Sequence, residues 1–150
     1  MNNPLQITRI SNTSNFSIAD FNGLLDEGKV WDSEQGERFI GNNDNALFIA
    51  FWEGKASGFL TAHRLQRFDK RKAEVLLYEI GVDPNYRRRG IGKALIEEVK
   101  KWAKEVGAEN VWVLTDKDNE PAMAMYKSAG GIEEAPGTIM WTYKLNPKTE

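Results

Sequence analysis

Residues 5–10 alternate apolar and polar side chains, the period of a short half-buried strand. Asn12 to Asn15 then supply turn and capping groups, and the period changes. Ile18, Phe21, Leu24 and Leu25 share one face of a predicted helix over 17–25, with Gly28 as its stop. A second helix, with a weaker pattern, is expected over 33–40. Residues 46–52 and 56–65 read as two strands joined by Glu53-Gly54-Lys55, a short glycine-containing link that makes them antiparallel partners. Residues 66–72 are basic and flexible in composition. From Val75 to Val82 the chain is apolar almost without alternation, as in a central strand covered on both faces.

The longest periodic segment comes next. Ile91, Leu95, Ile96, Val99, Trp102, Ala103 and Val106 form one apolar stripe with lysines and glutamates opposite, predicting a helix over 90–106 that Gly107 ends. A strand over 111–115, a helix over 121–129 with Pro121 in its first turn, a closing strand over 138–145 and a frayed end complete the chain. Strands with helices on each side of a shared sheet imply a mixed α/β sandwich. The 150 residues contain no repeat and no Pro/Ser-rich linker, so a single domain over 1–150 is expected.

Composition narrows the function classes. With 11% aromatic residues and near-balanced charge, disorder is excluded. The absence of Cys removes disulfides, zinc-thiolate sites, iron–sulfur clusters and thiol nucleophiles. A net charge of −2 argues against a nucleic-acid partner, which needs a basic surface. No apolar run approaches the roughly 20 residues that span a bilayer, and Met1-Asn2-Asn3-Pro4 lacks a signal-peptide layout. These features predict a cytoplasmic protein without a membrane partner.

The chemistry concentrates between Glu79 and Leu95, where a strand leads through a turn into a basic, glycine-rich helix start. The first turn of a helix carries unpaired N–H groups and partial positive charge, so it can hold a pyrophosphate where side chains leave the backbone open. Gly90 and Gly92 are expected to leave it open, and Arg87, Arg88 and Arg89 add charge-assisted contacts. A solvated, basic cap on an amphipathic helix is the plain alternative. A P-loop is excluded because Ala94 stands where a Ser or Thr must follow Gly92-Lys93. A dinucleotide fingerprint is excluded because Leu95 occupies the place of its third glycine.

Arg87-x-x-Gly90-x-Gly92 after an apolar strand resembles the coenzyme A pyrophosphate loop of the GNAT superfamily of N-acetyltransferases. Asn119-x-x-Ala122-x-x-x-Tyr126-x-x-x-Gly130 resembles that superfamily's later helix, beside the acetyl-CoA arm. The two motifs stand in the superfamily's order, and the narrower likeness is to its aminoglycoside 3-N-acetyltransferase branch. Gly131 departs from it by replacing a packing Phe. The resemblance implies an α/β (α+β) fold: a mixed, mostly antiparallel central sheet of six to seven strands with helices on both faces. It implies acetyl-CoA as cosubstrate, without a metal, bound by Arg87, Arg88, Arg89, Gly90, Ile91, Gly92, Lys93 and Asn119. The backbone of Ile80 and Val82 would pair with the pantetheine as an added strand does.

Acetyl transfer to an amine needs a neutral amine and a proton for the departing thiolate. Glu79, the carboxylate inside an otherwise apolar strand, is the expected base because burial would raise its pKa, with Glu74 in reserve. Tyr126 is implied as the acid at the coenzyme sulfur. His63, the only histidine, reads as structural, and Trp52, Trp102, Trp112 and Trp141 as core or interface residues. Asp32, Glu34, Glu37 and Asp44 are candidates to line a cationic acceptor's site. Without Cys to carry an acyl group, direct attack within a ternary complex is expected, the acceptor being the primary amine of a small cationic molecule such as an aminoglycoside. The alternatives are a polyamine, amino acid or protein amine as acceptor, or a coenzyme A-binding module without turnover. The closing strand and its aromatics are compatible with a homodimer.

Overall fold

The computed structural model describes residues 3–146; the two N-terminal residues and the 147–150 end, expected to fray, lie outside it. In chain order the elements are β1 (Leu5–Arg9), α1 (Ile18–Asn22), α2 (Ser33–Gly41), β2 (Asn45–Trp52), β3 (Lys55–Leu65), β4 (Ala73–Val82), α3 (Ile91–Glu105), β5 (Ala108–Trp112) and α4 (Glu120–Ser128). Each helix start has a local cause. Ser17 caps α1 by accepting from the Asp20 N–H, and Asp32 caps α2 by accepting from the Gln35 N–H at 2.9 Å. Gly54, in the left-handed region at φ 85°, closes the β2–β3 hairpin. Among the described residues no helix is long and apolar enough to cross a membrane.

The strands form one sheet in the order β1-β2-β3-β4-β5, antiparallel except for the parallel β4–β5 pair. Two irregularities in β4 set the direction of its side chains and free its far end. Thr61 pairs with Glu79 and Ala62 with Leu77, so Tyr78 is an extra residue in β4, a bulge. Beyond the Leu76–Trp112 pair, β4 and β5 part.

The sheet separates two cores. On one face the stripe of α3 packs Ile91, Leu95, Ile96, Val99 and Trp102 onto Phe48, Leu60, Val75 and Leu77, with α4 at the margin. On the other, Leu47, Ile49 and Phe59 meet Phe21 and Trp31 beneath α1 and α2. Full burial of one such side chain stabilises by about 1.5–3 kcal/mol relative to exposure.

Two expectations are corrected, and a third holds in part. The sheet has five strands rather than six to seven: residues 138–145 pair with no strand among the described residues, although their alternation is that of a strand. Of the four tryptophans assigned to core or interface, Trp102 is in the core at 3% exposure and Trp52 packs partly buried against it, while Trp112 and Trp141 are exposed. The basic segment 66–72 is held rather than loose. The Arg67 guanidinium pairs with Asp69 at 2.8 Å and Glu74 at 3.2 Å, and Lys70 pairs with Glu109. This segment alone lines a hollow of about 450 Å³ that contains none of the candidate site residues.

Leu95 is fully buried between α3 and the sheet. Leu95→Ala is expected to cost about 2–5 kcal/mol in urea unfolding, through a lower midpoint with an unchanged slope. A loss below about 1 kcal/mol would mean that α3 does not anchor this core.

Candidate functional site

The parting of β4 from β5 exposes backbone, and the ladder decides which groups are free. The Asp83 N–H donates to the Ser57 carbonyl at 2.8 Å, so these opposed residues form a hydrogen-bonded pair. Alternation along an antiparallel ladder makes Phe59/Gly81 hydrogen-bonded as well, and Gly58/Val82 and Leu60/Ile80 non-bonded. The N–H and C=O groups of Ile80 and Val82 therefore point away from β3, into the gap that β5 has left. These are the two residues expected to offer backbone groups to an extended ligand.

The same strand sends side chains to two faces. Ile80 and Val82 pack on the α3 side with Val75 and Leu77, the bulge having shifted the parity. Gly81 lies against Phe59 on the α1/α2 side, where an added Cβ would meet the ring at 2.8 Å. Glu79 has the parity of Gly81, and Tyr78 meets the His63 ring, so both emerge on the α1/α2 face. Both are exposed, which corrects the expected burial of Glu79. Among the described residues the Glu79 carboxylate takes part in no hydrogen bond or ion pair.

Past β4, a turn at Pro84–Tyr86 leads to the arginines. Arg88 at φ 64° and Gly90 at φ 77° are both left-handed. For Arg88 this backbone costs roughly 1–2 kcal/mol, whereas Gly90 adopts it freely. Gly90 caps α3 without a side chain, and open space surrounds the place of its missing Cβ. The first amides of α3, at Ile91, Gly92 and Lys93, have no intrahelical acceptor, and left-handed Gly90 followed by helical Ile91 is the backbone pattern of an anion-binding nest. Gly92 does a different job from the one expected. It is buried, and a Cβ there would meet Met125 Sδ at 2.2 Å, so it makes room for α4 rather than for a ligand. The Arg89 guanidinium stacks on Trp52 at 4.8 Å and Tyr86 at 5.0 Å, leaving its edge N–H groups to point outward.

On α4, Asn119 Oδ1 accepts from the Ala122 N–H at 3.2 Å, so this oxygen caps the helix and only the Nδ2 amide remains for other partners. Tyr126 is half-buried against the α3 core, and burial pushes its hydroxyl pKa up from the ordinary 10.0. The phenol therefore stays protonated, able to donate, throughout the neutral range. Gly131 explains its departure from the expected Phe: its N–H donates to the Tyr126 carbonyl at 2.9 Å, and a Cβ would meet that oxygen at 2.9 Å.

Several candidates are occupied elsewhere. Glu74 belongs to Arg67, and Asp32 caps α2; Glu34 pairs with Arg38 at 3.0 Å and Asp44 with Arg64 at 3.4 Å. Of the four acids expected to line an acceptor site, Glu37 alone has no partner among the described residues. His63, read as structural, has its Nδ1 2.8 Å from Asn45 Oδ1 and its ring between Phe39 and Tyr78. Sequence reasoning missed Tyr78, Trp52, Tyr86 and Met125. Tyr86 had a readable signal as an aromatic directly before an arginine run, whereas Trp52 meets that run only through the fold and Tyr78 depends on a bulge that no local motif marks.

The profile of the acetyltransferase (GNAT) family matches residues 13–130. Among curated relatives, the [ribosomal protein bS18]-alanine N-acetyltransferase of Escherichia coli (strain K12) is 30% identical over 102 residues, which are 68% of this chain and 61% of the relative. The chain thus spans about three fifths of the length of that relative. An aminoglycoside acetyltransferase, meta-AAC0020, from an uncultured soil metagenomic sample, solved with trehalose and with sisomicin, is 29% and 28% identical. It superposes with a TM-score of 0.81 over 95% of this chain and 97% of its own. Aminoglycoside N-acetyltransferase AAC(6')-Iy in complex with CoA is 25% identical with a TM-score of 0.79, covering 95% of each chain. The likeness is to a 6'-acetyltransferase and not specifically to the 3-N branch, which corrects that expectation.

If Gly92 exists for Met125, Gly92→Ala should destabilise by about 1–3 kcal/mol despite the better helix propensity of Ala. Combined with Met125→Ala it should cost less than the sum of the two single losses, with a coupling of about 0.5–3 kcal/mol in chemical denaturation. Additive losses would dissociate Gly92 from the α3–α4 contact.

Proposed function

This chain belongs to the acetyltransferase (GNAT) family, and from that membership we propose that it transfers an acetyl group from acetyl-CoA to a primary amine of a small cationic molecule of the aminoglycoside class. The observation that carries the reading is the alignment of two unfilled backbone sites: the outward N–H and C=O groups of Ile80 and Val82, and the open N-terminus of α3 after Gly90. A long ligand with amides at one end and a diphosphate at the other fits this arrangement. The amides add to β4 as a strand would. The diphosphate takes the nest at Gly90, Ile91, Gly92 and Lys93, with Arg87, Arg88 and the edge of Arg89 neutralising its charge.

When bound, acetyl-CoA supplies an acetyl carbonyl activated as a thioester. The chain's own residues do the rest. The gap between β4 and β5 joins the two faces of the sheet, with Tyr126 on the α3/α4 side and Glu79 on the α1/α2 side. Glu79 and the Tyr78 ring present a carboxylate and an aromatic face to a cationic acceptor, both of which attract an ammonium group. The Glu79 carboxylate takes the proton that the amine must lose, directly or through water. As the new C–N bond forms and the C–S bond breaks, the Tyr126 hydroxyl gives its proton to the departing sulfur. Holding the reactants together contributes most, since effective molarities reach about 10⁵–10⁸ M against about 10²–10⁴ for a general base. The chain has no Cys to carry an acyl group, which supports direct transfer within a ternary complex.

The aminoglycoside class is favoured by the neighbours solved with sisomicin and with a CoA-acetylneamine bisubstrate analogue. A protein N-terminal amine is the second reading, favoured by the relative named for bS18 alanine.

Thiol release from acetyl-CoA across aminoglycosides, polyamines, amino acids and short peptides tests the proposal, and no release with any amine would leave a coenzyme-binding module in its place. Glu79→Gln should lower kcat by about 10²-fold with little change in coenzyme affinity. Arg87→Ala should weaken coenzyme binding about fivefold, the size of ~1 kcal/mol, with kcat nearly intact. An unchanged kcat in the first variant would remove Glu79 as base, and an unchanged affinity in the second would remove Arg87 from the anion site. Burial raises the Tyr126 pKa, so proton donation is retained at neutral pH and lost as pH rises through that raised value, above the ordinary 10.0. The alkaline descent of kcat should lie there, and Tyr126→Phe should abolish it along with most of the rate.

A further inference from the structure

His63 stands on the face of the sheet where Glu79 and Tyr78 emerge. It lies opposite Asn45 of β2, two residues before Leu47 of the α1/α2 core, so both side chains belong to the α1/α2 side. A short series of hydrogen bonds fixes its ring. The Asn45 Nδ2 amide donates to the Phe39 carbonyl at 3.3 Å. That bond sets which way the amide points, because the reverse orientation would put two oxygens against each other. Asn45 Oδ1 therefore faces His63, 2.8 Å from Nδ1. An amide oxygen only accepts, so Nδ1 carries the proton and the neutral ring keeps its lone pair on Nε2. Phe39 and Tyr78 hold the imidazole in T-shaped contacts, with ring centroids 5.5 and 5.4 Å away. His63 is only half-buried, and among the described residues its Nε2 takes part in no hydrogen bond.

A role in packing needs a ring but no particular tautomer. Here a side chain and a carbonyl hold the ring in the one form whose outer nitrogen accepts. With Nδ1 turned to Asn45 on β2, the Nε2 lone pair is directed away from that strand. Tyr78 meets the ring from β4, on the other side of β3, and Glu79 is the next residue. We infer that His63 is a specificity-determining residue of the acceptor site. Its Nε2 accepts a hydrogen bond from a second donor, O–H or N–H, on the molecule whose amine Glu79 deprotonates. This rests on the proposed reading of that face as the acceptor side. A polyhydroxylated polyamine carries such donors beside each of its amines. An analogue without the donor binds less well, because it leaves the acceptor nitrogen covered and unpaired. Asn45 is a positioning residue, acting through the tautomer that it fixes.

His63 is the chain's only histidine, so its ring nitrogens are read without ambiguity. Two-bond proton–nitrogen correlation spectra, recorded well above the ordinary histidine pKa of about 6.5, should place the proton on Nδ1. Asn45→Leu should move it to Nε2. A proton on Nε2 in the parent chain would overturn the inference. With coenzyme A present, titrated sisomicin should displace the Nε2 signal. An Nε2 signal that stays still while the β4 amides respond would overturn this inference alone. No response of any signal to any amine would remove the acceptor side itself, and this inference with it. In turnover, His63→Phe keeps an aromatic ring between Phe39 and Tyr78 but has no lone pair. It should raise the KM for the aminoglycoside about fivefold, with a smaller effect on kcat and none on coenzyme affinity. Asn45→Leu should give part of the same rise and add nothing to it in the His63→Phe background. An unchanged KM, or a fall in kcat as large as the rise in KM, would also overturn the assignment.

Discussion

Backbone N–H and C=O groups inside a sheet are almost always paired, because leaving them unpaired away from water costs as much as a lost hydrogen bond. In this protein the parting of β4 and β5 after Leu76 and Trp112 sets Ile80 and Val82 outside that rule. Their free groups face a gap rather than a neighbour, and the rest of the molecule is arranged about that gap. On one side α3 packs its stripe against Leu60, Val75 and Leu77 and so fixes its own first turn at the end of β4. On the other, Phe59 fills the space that Gly81 leaves, which keeps β4 close to β3 where it no longer has β5.

The turn that joins β4 to α3 is preorganised by three different means. Asp83 holds its start by accepting from the Asn85 N–H at 2.9 Å and, through its carbonyl, from the Tyr86 N–H at 2.8 Å. Arg89 lies against Trp52 and Tyr86, which ties the loop to the end of β2 through the faces of the guanidinium and leaves its hydrogen-bonding edges unspent. Gly90 and Arg88 take left-handed backbone, and the strain at Arg88 is held by the structure on both sides of it. A loop arranged in this way loses little conformational freedom when an anion arrives, and a surface of mobile arginines would lose far more.

Much of this was legible in the sequence because it depends on local rules. The helix at 91–105 shows in its apolar period, the hairpin in Glu53-Gly54-Lys55, and the open start of α3 in Gly90 after a basic run. The hidden part depends on pairing across the sheet. The extra residue at Tyr78 reverses the inward and outward alternation of β4, and within an almost continuous apolar run nothing local marks it. Glu79 read as buried because the run lacks alternation, as in a strand covered on both faces, whereas the α1/α2 side leaves residues 78 and 79 exposed. Gly92 was legible as a required glycine but not for the right reason, since Met125 lies more than thirty residues further along the chain. The run at 138–145 carries a strand's pattern, but a pattern specifies a conformation and a face, not which edge will receive it.

In the proposed reaction, the bulge bears on how one strand can serve two reactants. Without the extra residue, position 79 would keep the parity of Val75 and Leu77 and point into the α3 core, where a carboxylate would be buried against Leu60 and Leu95. A carboxylate on that face could not stand before a cation on the α1/α2 side. With the bulge, the side chains of Ile80 and Val82 line the α3 side, their backbone groups face the gap, and Glu79 stands beside Tyr78 on the opposite face. Ordinary alternation puts Glu79 and Ile80 on opposite faces, and the bulge sets which face each of them takes. The direct attack proposed here uses that separation, since the amine would reach the carbonyl from the face that the coenzyme arm leaves open.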